Sequence, residues 1–327
     1  MSGPSPAPDV SIVFANWNTR DYMRDCLLSI REHVRGLTYE IIVVDDGSTD
    51  GSPEMLAKEF PEVTSLVNER NLGVTRTYNR GVARARGRYI QIMNTDMILV
   101  DNSPKILMEF LETHPDAAAC GAWLRNRDMT SQVTYGVFPS FHQALVDAFF
   151  LNDLFPRAHL PNRGALPDES ITEPMEVDYT TGASMMTRKD IVDRLGFFDE
   201  TFTSYCEDTD FCYRVKHEAH MKTYFVPAAR IIHFGGVSFA NVRKRQIRLH
   251  YSSYDKFLTK HHGAFYSFCT RALYAWQHGV KLAVRFVRYL AVPPGQKEKK
   301  EEKKSYMLNA WYIVRYSLAP SEEQRGS

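Results

Sequence analysis

Three stretches of the sequence place acidic or amide side chains just after a short apolar run. The first, residues 40–52, reads EIIVVDDGSTDGS, so that a β-branched run stops at Asp45 and Asp46. At the carboxyl end of a buried strand, an acceptor oxygen such as that of Asp45 can take a base N–H or a ribose hydroxyl of a nucleotide. The two carboxylates could equally cap the helix that begins near Ser52.

The second stretch, residues 68–96, ends another apolar run with Asn94, Thr95 and Asp96. A carboxylate at that position can coordinate a divalent cation that bridges two phosphates, because Mg²⁺ and Mn²⁺ take hard oxygen ligands. A single Asp is a sparse metal site, and an isolated Asp in this place is more often a turn residue or a helix N-cap. Asp96 is therefore a candidate metal ligand with a structural alternative.

The third stretch, residues 178–236, holds an acidic cluster and a histidine. Glu207, Asp208 and Asp210 stand at the start of an amphipathic run, where negative charge is also favourable simply because a helix begins there. One carboxylate of this cluster could act as the base for an acceptor hydroxyl. His233 follows a strand-like apolar run, and its imidazole could close on the same cation, although a histidine in such a place is more often structural.

The elements that must position these side chains follow from the pattern of apolar residues. From Val10 to about Ala122, short apolar runs alternate with longer amphipathic ones, which is typical of βα repetition. Near-continuous β-branched runs suit strands covered on both faces, and ligands of such sheets bind beyond the carboxyl ends of the strands. The pattern predicts strands at 10–14, 40–44, 63–67 and 89–93, and helices at 21–35, 53–60, 75–86 and 103–113.

Composition limits the class of protein. With 327 residues, 44% of them hydrophobic and 24% charged, the chain can bury a core and is not of the disordered type. The formal net charge of +1 gives no global electrostatic footprint for nucleic acid. The five cysteines show no paired spacing for a zinc site, which favours reduced thiols in a cytosolic protein. The N-terminus lacks the pattern of a secretory signal, and no run of about 18 apolar residues predicts a spanning helix.

Beyond residue 264 the sequence predicts an amphipathic helix. Its basic side is expected to carry Arg271, His278, Lys281, Arg285 and Arg288. Its apolar side is expected to carry Phe268, Ala272, Trp276, Gly279, Leu282 or Ala283, Phe286 and Leu290. Such a helix could lie on an anionic membrane surface with its Lys and Arg toward the headgroups, or pack on the preceding domain with a solvated basic side. The charged run 297–304 is predicted to be a solvated linker before a short tail at 306–318.

The candidate residues follow one another as Asp45, Asp96, the acidic cluster and then His233. With this order, residues 10–238 resemble family 2 glycosyltransferases with the GT-A fold, most closely the bacterial rhamnosyltransferase-like branch. VSIVFANWNT resembles the opening strand, VDDGSTDGS the nucleotide-contacting turn, and NLGVTRTYNRGVARARGRYIQIMNTD the stretch from the donor loop to the metal motif. TGASMMTR is similar to the acceptor-side turn and EDTDFCYR to the catalytic ED motif. The resemblance implies an α/β fold with a mostly parallel, Rossmann-like nucleotide-binding sheet wrapped by helices, and an α-helical C-terminal extension.

The resemblance also implies roles for the acidic residues. Asp208 would be the general base with Glu207 beside it, and Asp96 and His233 would bind Mg²⁺ or Mn²⁺. One departure is that Asn94 holds the first place of the metal motif, where many members of the family have an acid. Because an amide oxygen adds no charge, metal affinity is expected to be modest and dependent on the nucleotide.

Further contacts are expected from the same resemblance. Asp45 would contact the nucleotide base. The other expected nucleotide contacts are Ala15, Asn16, Asp46, Asn71, Gly73, Asn79, Asn94 and Thr95. The expected acceptor contacts are Gly182 and Ala183. The Pro-rich segment 132–176 would be either an acceptor loop or a plain connection.

The expected organisation is a disordered N-terminus at 1–9, a GT-A catalytic domain at 10–263 and a basic helical extension at 264–327. Within the catalytic domain, residues 10–123 would form the nucleotide-binding half and residues 124–263 the acceptor-binding half. The chain would be cytoplasmic, with peripheral association at the inner face of the membrane and a homodimer as further options.

The implied reaction is an inverting transfer of a sugar to a hydroxyl of a glycan or lipid-linked acceptor in cell-surface polysaccharide synthesis. The donor would be dTDP-L-rhamnose, or otherwise a UDP-sugar. A nucleotide-sugar pyrophosphorylase or other nucleotidyltransferase is a rival, but such enzymes usually place a Gly-rich basic loop after the first strand, where this chain reads ANWNTRDY. A non-catalytic sugar-nucleotide binding module is a second rival, and it would not need both the acidic pair and the histidine.

Overall fold

A computed structural model of the chain describes residues 6–155, 164, 166–235, 243–293 and 296–318. The chain divides into two compact units. The first comprises Met1–Phe138 and Gly164–Ser238, and the second comprises Pro139–Arg163 and Phe239–Ser327. The domain boundary expected after residue 263 falls inside the second unit.

The strands and helices follow one another along the chain in a βα pattern and then become mainly helical. The strands are β1 (Val10–Asn16), β2 (Tyr39–Asp45), β3 (Thr64–Val67), β4 (Tyr89–Met93), β5 (Met97–Leu99), β6 (Ala117–Arg125), β7 (Tyr135–Gly136), β8 (Met175–Val177), β9 (Tyr179–Thr180), β10 (Ser184–Arg188) and β11 (Lys222–His233). The helices are α1 (Arg20–His33), α2 (Ser52–Glu59), α3 (Val74–Val82), α4 (Ser103–Thr113), α5 (Phe141–Ala148), α6 (Leu151–Leu154), α7 (Lys189–Leu195), α8 (Glu207–His217), α9 (Arg243–His262), α10 (Ala264–Leu290) and α11 (Lys297–Leu318).

A nine-stranded sheet forms the centre of the first unit, in the order β3-β2-β1-β4-β10-β6-β11-β5, with β8 also paired to β11. The pairs β1–β2, β2–β3, β1–β4 and β6–β11 are parallel. Strand β10 runs antiparallel between β4 and β6. A small second sheet joins β7 and β9. The predicted mostly parallel α/β sheet wrapped by helices is confirmed.

Both faces of the sheet are covered, because alternate side chains of its central strands enter different core clusters. Ile12 and Phe14 of β1 pack in one cluster with Leu27 of α1. Val13 packs in the other with Tyr78 of α3. Successive side chains of a strand point to opposite faces, so an unbroken apolar strand needs helices on both sides.

Polar residues from distant parts of the chain meet at one edge of the sheet. Asn16 pairs with Asp45 across β1 and β2. Met93, the last residue of β4, pairs with Ser184 of antiparallel β10. Strand β11 ends at His233 and pairs there with β5, which follows β4 closely in the chain. The segments after β1, β2 and β4 and before β10 are therefore neighbours.

The second unit covers part of the basic side of α10, where Arg271, His278, Lys281 and Arg285 are half-buried and Arg288 is exposed. Arg271 pairs with Asp255 of α9 at 3.1 Å, and His278 Nε2 lies 3.2 Å from the Tyr251 hydroxyl of α9. Arg285 donates to a main-chain oxygen of α11 at 2.8 Å. Three of the five basic residues expected on a solvated or headgroup-facing side thus contact protein, while Arg288 is exposed. Within the described ranges, no helix is both long enough and apolar enough to cross a membrane.

The predicted α-helical C-terminal extension is confirmed by α10 and α11, but the prediction of a solvated linker at 297–304 is wrong. The run 297–304 is the beginning of α11, and the tail 306–318 continues the same helix. Lys and Glu are strong helix formers, so a charged run is compatible with a helix once a neighbour packs against it. The segment 132–176 contains α5, which Ser140 caps by accepting a hydrogen bond from the Gln143 N–H at 3.2 Å. Helix α9 was not predicted.

Parts of three predicted segments lie outside the described residues. This holds for residues 1–5 of the expected disordered N-terminus, for residues 236–238 at the end of the family resemblance, and for residues 319–327 of the expected helical extension. Asp9, at the other end of the N-terminal stretch, accepts hydrogen bonds from the Thr38 N–H and hydroxyl, each at 2.8 Å. This pair ties the approach to β1 to the residue before β2.

Helix α3 lies close to the sheet at Gly81. A Cβ atom at this position would stand 2.5 Å from Val13 Cγ1 and 3.1 Å from Val44 Cγ2. Both valines are fully buried in central strands, so they have little room to move away. The glycine is therefore needed for close helix–sheet packing.

We predict that Gly81→Ala destabilises the protein by about 1–3 kcal/mol, as overpacking of a core does. The matched control is Gly279→Ala in α10, where the added Cβ would meet nothing within 4 Å. Alanine there should stabilise by about 0.5–1 kcal/mol, because glycine is the poorer helix former. Urea denaturation followed by circular dichroism measures both, and equal effects of the two substitutions would contradict the packing argument.

Candidate active site

Asp45 holds the turn after β2 and does not cap a helix. The carboxylate is fully buried, and it accepts from Asn16 Nδ2 at 2.6 Å and from the Ser48 N–H at 2.8 Å. The N-cap residue of α2 is Gly51, and the carboxylate that accepts from the first helical N–H, that of Ser52 at 3.0 Å, belongs to Asp50. The contact of Asp45 with a nucleotide base stays a prediction.

A chain of hydrogen bonds ties the ends of β1, β2 and β4 together. The hydroxyls of Thr95 and Thr19 lie 2.7 Å apart, and Thr19 donates to Asn16 Oδ1 at 2.7 Å. Because Thr19 has one hydroxyl proton and gives it to Asn16, Thr95 must donate to Thr19. Asn16 then continues the chain to Asp45. Ala15, the residue before Asn16 in β1, is half-buried beside this network.

Asp46 organises the loop that precedes α3. Its Oδ1 accepts from Asn68 Nδ2 at 2.7 Å and from the Leu72 N–H at 2.8 Å, and its Oδ2 accepts from the Gly73 N–H at 3.0 Å. Gly73 has φ of 90°, a conformation that favours glycine. Asn71, in the same loop, is exposed. The Asp46 carboxylate thus holds the loop together, and the exposed Asn71 is among the side chains of this loop that a ligand can reach.

Asn79 contacts protein at both ends of its amide. Its Nδ2 donates to the Phe198 carbonyl at 2.8 Å, and its Oδ1 accepts from the Phe198 N–H at 3.0 Å. These reciprocal bonds attach α3 to the segment before α8. The nucleotide contact expected of Asn79 stays a prediction.

Asp96 and His233 meet beyond the ends of β4 and β11. Asp96 Oδ1 lies 3.3 Å from His233 Nε2, and Asn94 Nδ2 lies 3.3 Å from the same nitrogen. The Phe234 N–H donates to the Asp96 carbonyl at 2.9 Å, so the main chain also joins the two segments. Both ionisable side chains are mostly buried. Two residues far apart in the sequence therefore form one polar cluster.

The donor atoms of this cluster fit a divalent cation. A carboxylate oxygen and an imidazole nitrogen that face each other can both ligate one ion, and the imidazole favours a transition ion such as Mn²⁺ over Mg²⁺, which prefers oxygen. No group of three or more His, Cys, Asp or Glu side chains suited to a metal occurs among the residues that the structure describes. The remaining ligands would have to be oxygens of a bound phosphate or of water.

The candidate base is fixed against the turn before β10. Asp208 Oδ2 accepts from the Gly182 N–H at 2.7 Å, and its Oδ1 accepts from the Thr209 N–H at 2.6 Å. The Asn94 N–H donates to the Ala183 carbonyl at 2.9 Å. Because Gly182 and Ala183 are consecutive, these bonds place Asp208 beside the end of β4.

Glu207 is an acid whose ionisation is strongly disfavoured. Its Oε2 atom is sealed from solvent and has no hydrogen-bond partner within the described residues. Burial, and then the negative charge of Asp208, raises the pKa of Glu207 to about 8. Burial also raises the pKa of Asp208, although main-chain hydrogen bonds oppose the shift. The residues before them, Tyr205 and Cys206, have φ of 68° and 64°, which is uncommon for non-glycine residues.

Asp210, the third acid of the cluster, has a structural role. It is fully buried, and its Oδ2 accepts from Arg214 Nε at 2.9 Å one helical turn away. Arg214 in turn donates to the Leu195 carbonyl at 3.0 Å. The pair therefore connects α8 to the end of α7.

Two residues that the sequence analysis did not single out contribute to the site. The Tyr78 hydroxyl donates to the Met93 carbonyl at 2.9 Å, and burial followed by the negative charges of Asp96 and Glu207 raises the pKa of Tyr78. Gln132 accepts from His233 through its amide oxygen. Tyr78 lies in the quoted stretch 71–96 without a role of its own there, and Gln132 belongs to no quoted motif, so the tertiary structure is what reveals both contacts.

A cavity of about 590 Å³ opens beside His233. It is lined by Tyr22, Asn126, Arg127, Asp128, His233, Phe234 and Gly235. The Arg127 guanidinium lies 4.1 Å from the centre of the Phe234 ring. The Asp96–His233 cluster therefore adjoins a space with a cationic wall, which a negatively charged ligand could enter.

Comparison with known proteins places the chain in a family. Residues 11–196 match the model of glycosyl transferase family 2, and residues 168–314 match that of glycosyl transferase family group 2. The chain belongs to glycosyl transferase family 2, and it is a glycosyltransferase.

Curated relatives extend the similarity beyond this family match. The chain is 26% identical, over 258 residues, to an N-acetylglucosaminyl-diphospho-decaprenol L-rhamnosyltransferase of Mycobacterium tuberculosis, covering 75% of this chain and 81% of that protein. It is 33% identical over 125 residues to the succinoglycan biosynthesis protein ExoO of Rhizobium meliloti, covering 38% of this chain and 34% of that protein.

Solved structures show the same fold. A mannosyltransferase from Pyrobaculum calidifontis, in complex with GDP-Man and Mn²⁺, has a TM-score of 0.59 at 14% identity and covers 97% of this chain and 89% of its own. GalNAc-T7, solved with UDP, GalNAc and Mn²⁺, has the same TM-score and identity and covers 96% of this chain and 58% of its own. The predicted GT-A fold is confirmed.

The raised pKa of Glu207 predicts a pH-dependent stability. The folded protein holds this proton up to about pH 8, whereas the unfolded chain releases it near 4.5. Unfolding therefore releases a proton in that interval, and the free energy of unfolding falls as pH rises, by at most about 1.4 kcal/mol per pH unit. Glu207→Gln removes this dependence, so its stability relative to wild type should increase from pH 5 to pH 8.

Urea denaturation in EDTA at each pH measures the difference. Glu218→Gln, an exposed position at the other end of α8, serves as the control. A difference between Glu207→Gln and wild type that stays constant from pH 5 to pH 8 would show that Glu207 ionises in its ordinary range.

Proposed function

We propose that the chain transfers a sugar from a nucleoside diphosphate to an acceptor hydroxyl by a single inverting displacement, with Asp208 as the general base. The observation that carries the proposal is the attachment of Asp208 to Gly182, which sets a carboxylate beside the strand end that bears Asn94 and Asp96. Parallel α/β sheets bind their ligands at such strand ends.

The proton transfer follows from the state of Asp208. Its two oxygens each accept one main-chain N–H, which leaves lone pairs for an incoming hydroxyl. Burial raises its pKa toward the range in which a carboxylate is a better base. As the acceptor oxygen bonds to the sugar C1, its proton passes to Asp208 and the C1–O bond to the diphosphate breaks. The products are the glycosylated acceptor and a nucleoside diphosphate.

Asp96 and His233 are the residues proposed to hold Mn²⁺ or Mg²⁺. A cation bound there would neutralise charge on the departing diphosphate. The donor set supports Mn²⁺ more than Mg²⁺, and the two structural neighbours were both solved with Mn²⁺. Asn94, beside His233, adds a polar group without adding charge.

The donor and acceptor are proposals by similarity. dTDP-L-rhamnose is favoured as donor because a relative at 26% identity is named as an L-rhamnosyltransferase, with a UDP-sugar as the second choice. A lipid-linked or growing glycan is favoured as acceptor, since that relative is named for a diphospho-decaprenol substrate and another for succinoglycan biosynthesis. The proposed role is therefore in polysaccharide synthesis.

We predict that Asp208→Asn retains donor binding but loses a factor of about 10² to 10⁴ in turnover, the usual effect of removing a general base. Donor binding is measured as the thermal shift with dTDP and with UDP in the presence of Mn²⁺. Turnover is measured as sugar transfer to a lipid-linked acceptor. Asp193→Asn, at an exposed carboxylate paired with Lys189, is the control and should match wild type. If Asp208→Asn transfers sugar at the wild-type rate, the assignment of Asp208 as the general base is wrong.

We also propose that the second unit lies on an anionic membrane surface through the apolar side of α10. Exposed on this side are Phe265 (80%), Phe268 (59%), Trp276 (58%), Phe286 (48%), Val287 (66%) and Leu290 (65%). Residues 264–318 contain ten Lys and Arg but three Asp and Glu. An aromatic stripe on a strongly basic segment matches an interfacial helix on anionic lipid better than a contact with a second, equally basic copy.

We predict that the double variant Phe268→Ser, Trp276→Ser in the full chain binds vesicles containing phosphatidylglycerol on the order of tenfold or more weakly than wild type, because two exposed aromatic rings are lost. Flotation measures the bound fraction, and Leu28→Ser, at an exposed leucine of α1, is the control. Equal flotation of the double variant and wild type would contradict the proposal. So would a wild-type dimer that the double variant converts to monomer without any vesicle binding.

A further inference from the structure

A short hairpin turn after β6 contacts His233 on the side of the imidazole that faces away from Asp96. Within this turn the Gln132 N–H donates to the Leu124 carbonyl at 2.9 Å, and the Asn126 N–H donates to the Thr130 carbonyl at 2.8 Å. Gln132 meets His233 twice, with its Oε1 2.8 Å from Nδ1 and its Nε2 donating to the His233 carbonyl. The imidazole is therefore held through a side chain and through its own backbone.

The direction of the hydrogen bonds along this turn is fixed by their chemistry. The chain begins at Asp128, whose carboxylate can only accept when it is ionised, and hydrogen bonds from Thr130 lower the pKa of Asp128. Thr130 donates its hydroxyl proton to Asp128 at 2.6 Å, so the hydroxyl must accept from Asn126 Nδ2 at 2.8 Å. Asn126 therefore presents its oxygen to Gln132 Nε2, at 2.7 Å.

The same reasoning carries through to the imidazole. Because Gln132 Nε2 donates both to Asn126 and to the His233 carbonyl, Gln132 Oε1 must face Nδ1. An amide oxygen can only accept, so Nδ1 carries the proton. In the neutral imidazole the other nitrogen, Nε2, then carries the lone pair, and the Asn94 amide at 3.3 Å is placed to donate to it.

We propose that Gln132 is a positioning residue that fixes the Nδ1–H tautomer of His233 and points the Nε2 lone pair at Asp96. With the imidazole neutral, this lone pair and a carboxylate oxygen at 3.3 Å repel each other, and either a metal ion between them or a second proton on Nε2 relieves the repulsion. The arrangement is thus a ligand pair set for a cation. Partners behind a ligating histidine typically contribute a factor of 10–100 to metal affinity.

This inference rests on the proposed metal role of Asp96 and His233, but its first test does not. In metal-free full-length protein labelled with ¹⁵N, the imidazole nitrogen shifts report the tautomer directly. The His233 signals are assigned by their absence from His233→Gln. Wild type should show a protonated Nδ1 and an unprotonated Nε2, whereas Gln132→Leu should show a mixture of tautomers.

The second test measures Mn²⁺ affinity with dTDP or UDP present, from the free Mn²⁺ signal in electron paramagnetic resonance. Gln132→Leu should bind Mn²⁺ about 10–100 times more weakly than wild type. The matched control is Gln143→Leu, at a buried glutamine of α5 whose amide atoms have no hydrogen-bond partner within the described residues. It should change neither the tautomer nor the affinity.

Retention of the wild-type tautomer and of Mn²⁺ affinity within twofold by Gln132→Leu would overturn the proposal. If that variant does not fold, Thr130→Val decides, because Thr130 is exposed and loses only its hydroxyl. Like Gln132→Leu, this variant should show a mixture of His233 tautomers. An unchanged tautomer would contradict the proposed series of hydrogen bonds from Thr130 through Asn126 and Gln132 to His233. A wild-type protein that shows the expected tautomer but binds no Mn²⁺ would refute the metal site while supporting the role of Gln132.

Discussion

The candidate site depends on the placement of β10 as an antiparallel strand between β4 and β6. This placement allows the Ala183 carbonyl to accept a hydrogen bond from the Asn94 N–H. The N–H of the preceding residue, Gly182, donates to Asp208. A shift of β10 by one residue would exchange its two faces, and Asp208 would lose its donor. One strand register therefore decides whether the acidic pair at the start of α8 and the polar residues beyond β4 share an edge of the sheet.

The first half of the fold was predictable because its signals are local. Unbroken apolar runs such as that of β2 require cover on both faces, and parallel strands end at a common edge, so Asp45 and Asp96 could be placed from the pattern alone. The position of His233 could not, because it depends on β11 crossing the sheet to pair with β5. The sequence singled out His233 as a histidine after a strand-like run, and the family resemblance then implied its metal role. Gln132 had no signal at all, since an amide gains meaning only from the atoms that surround it.

Periodicity in α10 separated a basic side from an apolar side, but it could not tell which side the protein covers. A hydrophobic pattern normally predicts burial of the apolar side. Here the basic side finds specific partners, including Asp255 and a main-chain oxygen of α11, and buried charges are acceptable when they are paired in this way. The sequence of α9, which supplies Asp255, did not predict a helix, so the partner that reverses the orientation was missing from the prediction.

The two halves of the candidate site solve opposite electrostatic problems. At the start of α8, two neighbouring acids are buried and one oxygen of Glu207 has no hydrogen-bond partner within the described residues, so that Glu207 resists ionisation and the pair carries less than two negative charges at neutral pH. Beyond β4, in the tautomer proposed for His233, Asp96 faces the Nε2 lone pair at 3.3 Å, which leaves an excess of electron density that a cation would relieve. A site that binds a negatively charged diphosphate has to hold its own negative charge low, and a protonated Glu207 together with a cation at Asp96 and His233 would achieve this. The unfavourable burial of Glu207 is then a stability cost of limiting the negative charge beside Asp208, the proposed base.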